Sequence, residues 1–124
     1  MSNFQKLSET EMDIMNIIWS SDKPITSGEL LEIFYEKEGK EWKGQTIATF
    51  LSRLVKKGVL ELTKKGRVNY YSQRMTLEEY KQNEAQSILD KRYKGSVSNF
   101  LAALYNKKIS KKEVEEIKKW FSEE

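Results

Sequence analysis

Lys43, Gln45, Thr46, Thr49, Ser52, Arg53 and Lys56 crowd into one short stretch, and Lys64, Lys65 and Arg67 follow soon after it. Lysine and arginine neutralise phosphate, while amide and hydroxyl groups hydrogen-bond the edges of planar polar rings. The surrounding charge points the same way. Residues 40–75 hold 9 basic and 2 acidic side chains, whereas residues 1–39 hold 3 basic and 8 acidic ones. The modest net charge of +3 therefore hides a local positive field suited to a polyanion.

Other chemistries have little to work with. The 124 residues include no cysteine and no histidine, which removes thiol nucleophiles, imidazole bases, disulfides and most zinc or copper sites. The six glycines, at positions 28, 39, 44, 58, 66 and 95, form neither a dinucleotide fingerprint nor a phosphate loop. The carboxylates fall in helix caps or on solvated faces such as Glu115-Glu116 and Glu123-Glu124. No catalytic constellation, cofactor site or metal site is expected. The opening MSNFQKLSETEMD lacks the layout of a secretory signal, and no run approaches a membrane span, so a cytoplasmic protein without membrane insertion is expected.

Four helix starts position the basic stretch. Ser8 with Glu11, Thr26 with Glu29, Thr76 with Glu79 and Ser110 with Glu113 each have capping-box spacing. Apolar staples flank them: Leu7 and Met12, Ile25 and Leu30, Met75 and Tyr80, Ile109 and Val114. A first helix is predicted from about Ser8 to Ser20 with Met12, Met15, Ile18 and Trp19 inward, and a second from Thr26 to Gly39 with Leu30, Ile33 and Phe34 inward. Between Gly44 and Gly58, Ile47, Phe50, Leu51, Leu54 and Val55 mark the apolar face of a third helix. Gln45, Thr49, Ser52, Arg53 and Lys56 line its opposite face, with Thr46 beside them.

After Gly58 the period changes. Val59–Thr63 and Val68–Ser72 read as strands joined by Lys64-Lys65-Gly66-Arg67, a hairpin with a basic tip. Three helices and a hairpin are the order of a winged helix-turn-helix, whose third helix enters the major groove of DNA. The fold expected is mainly α with a small β-hairpin wing: a DNA-binding domain over residues 1–74 and a helical dimerisation region over 75–124. The latter carries Tyr80, Ile88, Leu89, Phe100, Leu101, Leu104, Ile117, Trp120 and Phe121, too much apolar surface for some 50 residues to bury alone. A homodimer through these helices is expected, the alternative being that they fold back on the winged domain.

LSETEMDIMNIIW, TSGELLEIF, TIATFLSRLVKKGVLE and RVNYYS, in that order, resemble the BlaI/MecI/CopY repressors, with Thr46–Gly58 as the most specific part. The resemblance implies a dimeric winged-helix repressor of transcription acting on dyad operators. It places the recognition helix at Lys43–Lys57 and the operator-facing residues at Lys43, Gln45, Thr46, Thr49 and Arg53. Relatives commonly carry lysine where Gln45 stands, and often a basic residue where Ala48 stands, so the family half-site with its TACA/TGTA core does not transfer directly. The copper-responsive branch adds paired cysteines near its carboxyl terminus, and this chain has none. In the antibiotic-responsive branch a sensor-linked protease cuts an Asn-Phe bond in the dimerisation region, and Asn99-Phe100 stands at the matching place. Two other readings are a winged-helix regulator with a small-molecule pocket, lined by Trp42, Tyr93 and Trp120, and a winged-helix module that binds protein.

Overall fold

A computed structural model describes residues 4–105 and 110–122. The elements are α1 (Glu9–Trp19), α2 (Ser27–Glu38), α3 (Gly44–Lys56), β1 (Leu60–Lys65), β2 (Val68–Gln73), α4 (Leu77–Tyr93), α5 (Val97–Tyr105) and α6 (Lys111–Ser122). They fall into two compact units, the first over residues 3–84 and the second over 85–124. The staple residue Ile109 and the pair Glu123-Glu124 lie outside the described residues.

The caps form as their spacing requires. Ser8 and Thr26 each accept a hydrogen bond from the N–H of the glutamate three residues on, and each glutamate accepts one from the cap's own N–H. Thr76 and Glu79 exchange the same two bonds, at 3.1 and 2.9 Å. At Ser110 the Glu113 N–H donates to the hydroxyl, and the hydroxyl donates to the Glu113 carboxylate at 3.3 Å. A fifth cap, unforeseen, starts α5: the Asn99 N–H donates to Ser96 Oγ at 3.1 Å. Position 99 has no acidic side chain to complete a box, so the pattern gave no signal there.

The first unit has one core. Ile14, Met15 and Ile18 of α1, Leu30 and Phe34 of α2, Ile47, Leu51 and Leu54 of α3, and Leu60 and Tyr71 of the hairpin are all buried in it. The inward face of α1 is shifted from the expected one: Ile14 is fully buried, and Met12 and Trp19 only border the core. Glu11 is buried with them. Gly39 ends α2 in the left-handed region at φ 65°, open to glycine at no steric cost, and turns the chain toward α3. The hairpin is antiparallel, with Leu62 opposite Tyr71 and Lys65 opposite Val68, and Gly66 at φ 64° makes the reversal possible. β1 starts one residue and ends two residues later than expected, and β2 starts as expected but runs one residue further. Lys64 and Lys65 therefore belong to β1, and the tip is Gly66-Arg67. Ile25 and Tyr71 exchange two backbone hydrogen bonds of 2.8 Å, which ties the turn before α2 to the hairpin. A single bridged residue has no periodicity to reveal it.

In the second unit α4 ends at Lys94 and Gly95, both at positive φ, and Phe100 packs edge-on against Tyr93 at 5.2 Å. No residue of α5 or α6 is buried. Leu101, Tyr105, Val114 and Ile117 line an open apolar groove between these two helices.

Candidate nucleic-acid interface

Core burial of Ile47, Leu51 and Leu54 turns the opposite side of α3 to solvent. Gln45, Ala48, Thr49, Ser52, Arg53 and Lys56 line one shallow groove along that side. Lys43, Gln45, Thr46, Thr49, Arg53 and Lys56 are all exposed. The stretch from Trp42 to Leu60 contains no carboxylate, so nothing within it opposes their charge. Unlike α1 and α2, α3 has no side-chain cap and no acidic residue in its first turn. The Thr46 N–H turns back to the Lys43 carbonyl at 3.0 Å, but no side chain or acidic group offsets the partial positive charge of the helix start beside Lys43 and Gln45.

Local contacts assign different tasks to these side chains. Thr49 Oγ1 donates to the Gln45 carbonyl at 3.0 Å, which spends its proton on its own helix and leaves a methyl group and lone pairs for an outside partner. The Arg53 guanidinium lies 5.4 Å over the Phe50 ring. Lys57, next in line, is withdrawn from the surface: its Nζ pairs with Glu11 Oε1 at 2.6 Å and donates to the Lys6 carbonyl at 3.3 Å. That pair pins the carboxyl end of α3 to the amino end of α1. Burial pushes the Glu11 carboxyl up, but hydrogen bonds from Lys57 and from the Ser8 N–H outweigh it and hold the group below its ordinary value of 4.5.

The hairpin presents Lys64, Lys65 and Arg67 exposed. Strand alternation sends Lys64 to the face of Leu62 and Tyr71, and Lys65 to the face of Thr63 and Tyr70. Lys65 Nζ sits 5.7 Å over the Tyr70 ring. The two lysines thus do not share one surface.

The dimerisation candidates divide. Tyr80 is 2% exposed in the core of the first unit, where its hydroxyl accepts the Leu7 N–H at 3.1 Å. Leu89, Phe100, Leu101 and Ile117 are half-buried. Ile88, Leu104, Trp120 and Phe121 are exposed, Trp120 by 63%. Asn99 is exposed in the first turn of α5. Of the aromatic trio considered for a pocket, Trp42 packs between Phe34 and Phe50, Tyr93 against Phe100, and Trp120 against Phe121. Sequence reading missed Phe50 as a neighbour of Arg53 and Glu11 as the partner of Lys57. The spacing of three between Phe50 and Arg53 was a usable signal, while the pairing of Glu11 with Lys57 spans 46 residues and had none.

Three packed helices closed by a two-stranded hairpin, with the third helix basic and exposed, define a winged-helix DNA-binding domain. The penicillinase repressor family pattern matches residues 7–123. The chain is 30% identical over 118 residues to the penicillinase repressor of Bacillus licheniformis, covering 94% of this chain and 90% of that protein. It is 32% identical over 121 residues to the penicillinase repressor of Staphylococcus aureus, covering 95% and 93%. The solution structure of the monomeric Bacillus licheniformis BlaI in complex with the blaP half-operator aligns with a TM-score of 0.50 at 31% identity, covering 64% of this chain and 94% of that one. The chain belongs to the penicillinase repressor family, whose members are transcriptional repressors and not enzymes.

Proposed function

We propose that this repressor works as a homodimer on a two-fold symmetric operator, each subunit laying the outer face of α3 in a major groove. The observation that carries the reading is the exposed row from Gln45 to Lys56, on a helix that is free of carboxylates and rigidly seated on the core. Gln45 suits bidentate pairing with adenine, and the Thr46 and Thr49 methyl groups suit thymine. Arg53, Lys43 and Lys56 take backbone phosphates, and two of the three hairpin cations Lys64, Lys65 and Arg67 take flanking ones, since Lys64 and Lys65 lie on opposite faces.

Dimerisation falls to the second unit, whose apolar side chains are at most half covered among the described residues of α5 and α6: none there is buried, and Leu104, Trp120 and Phe121 stand open to solvent. Induction fits a cut at Asn99-Phe100 by a sensor-linked protease in the cytoplasm. Such a cut separates Phe100, Leu104, Ile117, Trp120 and Phe121 from the DNA-binding unit, and the bivalent grip on the operator is lost. The bond lies inside α5, so the first turn of that helix must open before a protease can take it.

The test is equilibrium binding to DNA from upstream of the protein's own gene. With roughly six to ten phosphate contacts, affinity should fall about a thousandfold or more between about 50 and 200 mM salt. A salt-independent affinity would contradict the phosphate-led interface.

A further inference from the structure

The Arg53 guanidinium has no ion-pair or side-chain hydrogen-bond partner among the described residues; it lies over the ring of Phe50, one turn earlier on α3. Phe50 is itself half-buried, whereas Ile47, Leu51 and Leu54 are wholly buried. Its ring therefore stands at the border between the core and the outer face of the helix. Behind it, Trp42 meets Phe50 edge-on at 6.1 Å and Phe34 at 5.7 Å, and Phe34 is 1% exposed. The stack runs from the core to the guanidinium. The Trp42 indole N–H is buried without an acceptor among the described residues, and the indole is held by its packing against Phe34 and Phe50.

We infer that Phe50 is a positioning residue for DNA binding: its ring, braced by Trp42, holds the Arg53 guanidinium at the flank of α3, where it meets a phosphate and not a base edge. The inference rests on the DNA-binding reading above. At about 100° per residue, Gln45, Thr49 and Lys56 mark the middle of the outer face, and Phe50 lies to one side of it. A guanidinium drawn toward Phe50 leans away from the middle, toward one wall of the groove that the helix enters. Stacking occupies the flat face of the guanidinium and leaves its N–H edge free to donate. It also restricts a long side chain before DNA arrives, so less rotamer freedom is lost on binding. An aliphatic residue of similar bulk seals the core equally well but offers no ring face for the cation.

The experiment is a double-mutant cycle read by DNA affinity, using the upstream DNA and a mixed-sequence duplex at low salt. Phe50→Leu should weaken binding about two- to fivefold per subunit, the usual strength of an exposed cation–π contact. The factor should be the same on both DNAs, because phosphate contacts are sequence-independent. Phe50→Tyr should restore binding, and Phe50→Leu should add nothing in an Arg53→Ala background. Thermal melting confirms that each variant is folded, and Phe50→Met replaces the leucine variant if that one melts early. Undiminished affinity in Phe50→Leu, a loss confined to the upstream DNA, or an equal further loss in the Arg53→Ala background would each overturn the inference. If Arg53→Ala alone leaves affinity unchanged, the assignment of Arg53 to DNA fails, and the positioning role with it.

Discussion

Glu11 does two things with one carboxylate. It closes the cap of α1 on the Ser8 N–H, and it neutralises Lys57 at the end of α3. Because it is 2% exposed, removing the ammonium leaves a buried charge with only the cap to satisfy it. Lys57→Met should cost about 3 kcal/mol of stability, measured by urea unfolding at neutral pH. An unchanged midpoint would mean that water replaces the ammonium freely. The pair also sets a pH dependence. The folded carboxyl titrates below 4.5, so its stabilisation is complete above that value and is lost as pH falls through the lower, folded one. Glu29, drawn down by hydrogen bonds from the Thr26 N–H and hydroxyl, adds in the same direction. Unfolding midpoints should therefore drop below about pH 4.5, and Glu11→Gln should flatten that part of the profile. The caps at Ser8 and Thr26 were legible because Ser or Thr with Glu three residues on is a local rule. Burial of Glu11 was not, since Lys57 reaches it only through the fold.

At the scale of elements, α3 was the most legible part of the chain. Its apolar residues at 47, 51 and 54 dictate which side is buried, and the residues opposite them are exposed as the pattern requires. The hairpin was less so. Leu62 and Val68 are exposed by 44% and 43%, so alternation along the strands was too weak to place their ends, and Lys64 and Lys65 moved from the tip into β1. That shift changes what the wing can do. Side chains on opposite faces of a two-stranded ribbon cannot both lie flat on one phosphate backbone. Replacing Lys64, Lys65 and Arg67 together by alanine should therefore lower the salt slope of DNA binding by about two phosphate equivalents and not three. An unchanged slope would remove the wing from the interface.

For the whole molecule, the two units are held by different means. The first has a closed core, from Ile14 to Tyr71, while the second leaves Leu104, Trp120 and Phe121 exposed. Tyr80 illustrates what a linear pattern cannot separate: a residue read with the dimer helices from its spacing is buried in the first unit, because the start of α4 belongs there. Trp120 belongs to α6 of the second unit and is not among the core residues of the first. Trp120→Glu should yield monomers by sedimentation with melting of the DNA-binding unit unchanged, and it should weaken operator binding by roughly a hundredfold or more through lost bivalency. A dimer that persists would place the interface elsewhere. The central claim, sequence-specific binding by a dimer through α3, is tested most directly by footprinting the purified protein on DNA upstream of its own gene, with an unrelated fragment as control. Protection of a two-fold symmetric site at about 200 mM salt, absent from the control, is the result expected. Equal protection of both fragments, or of neither, would contradict it.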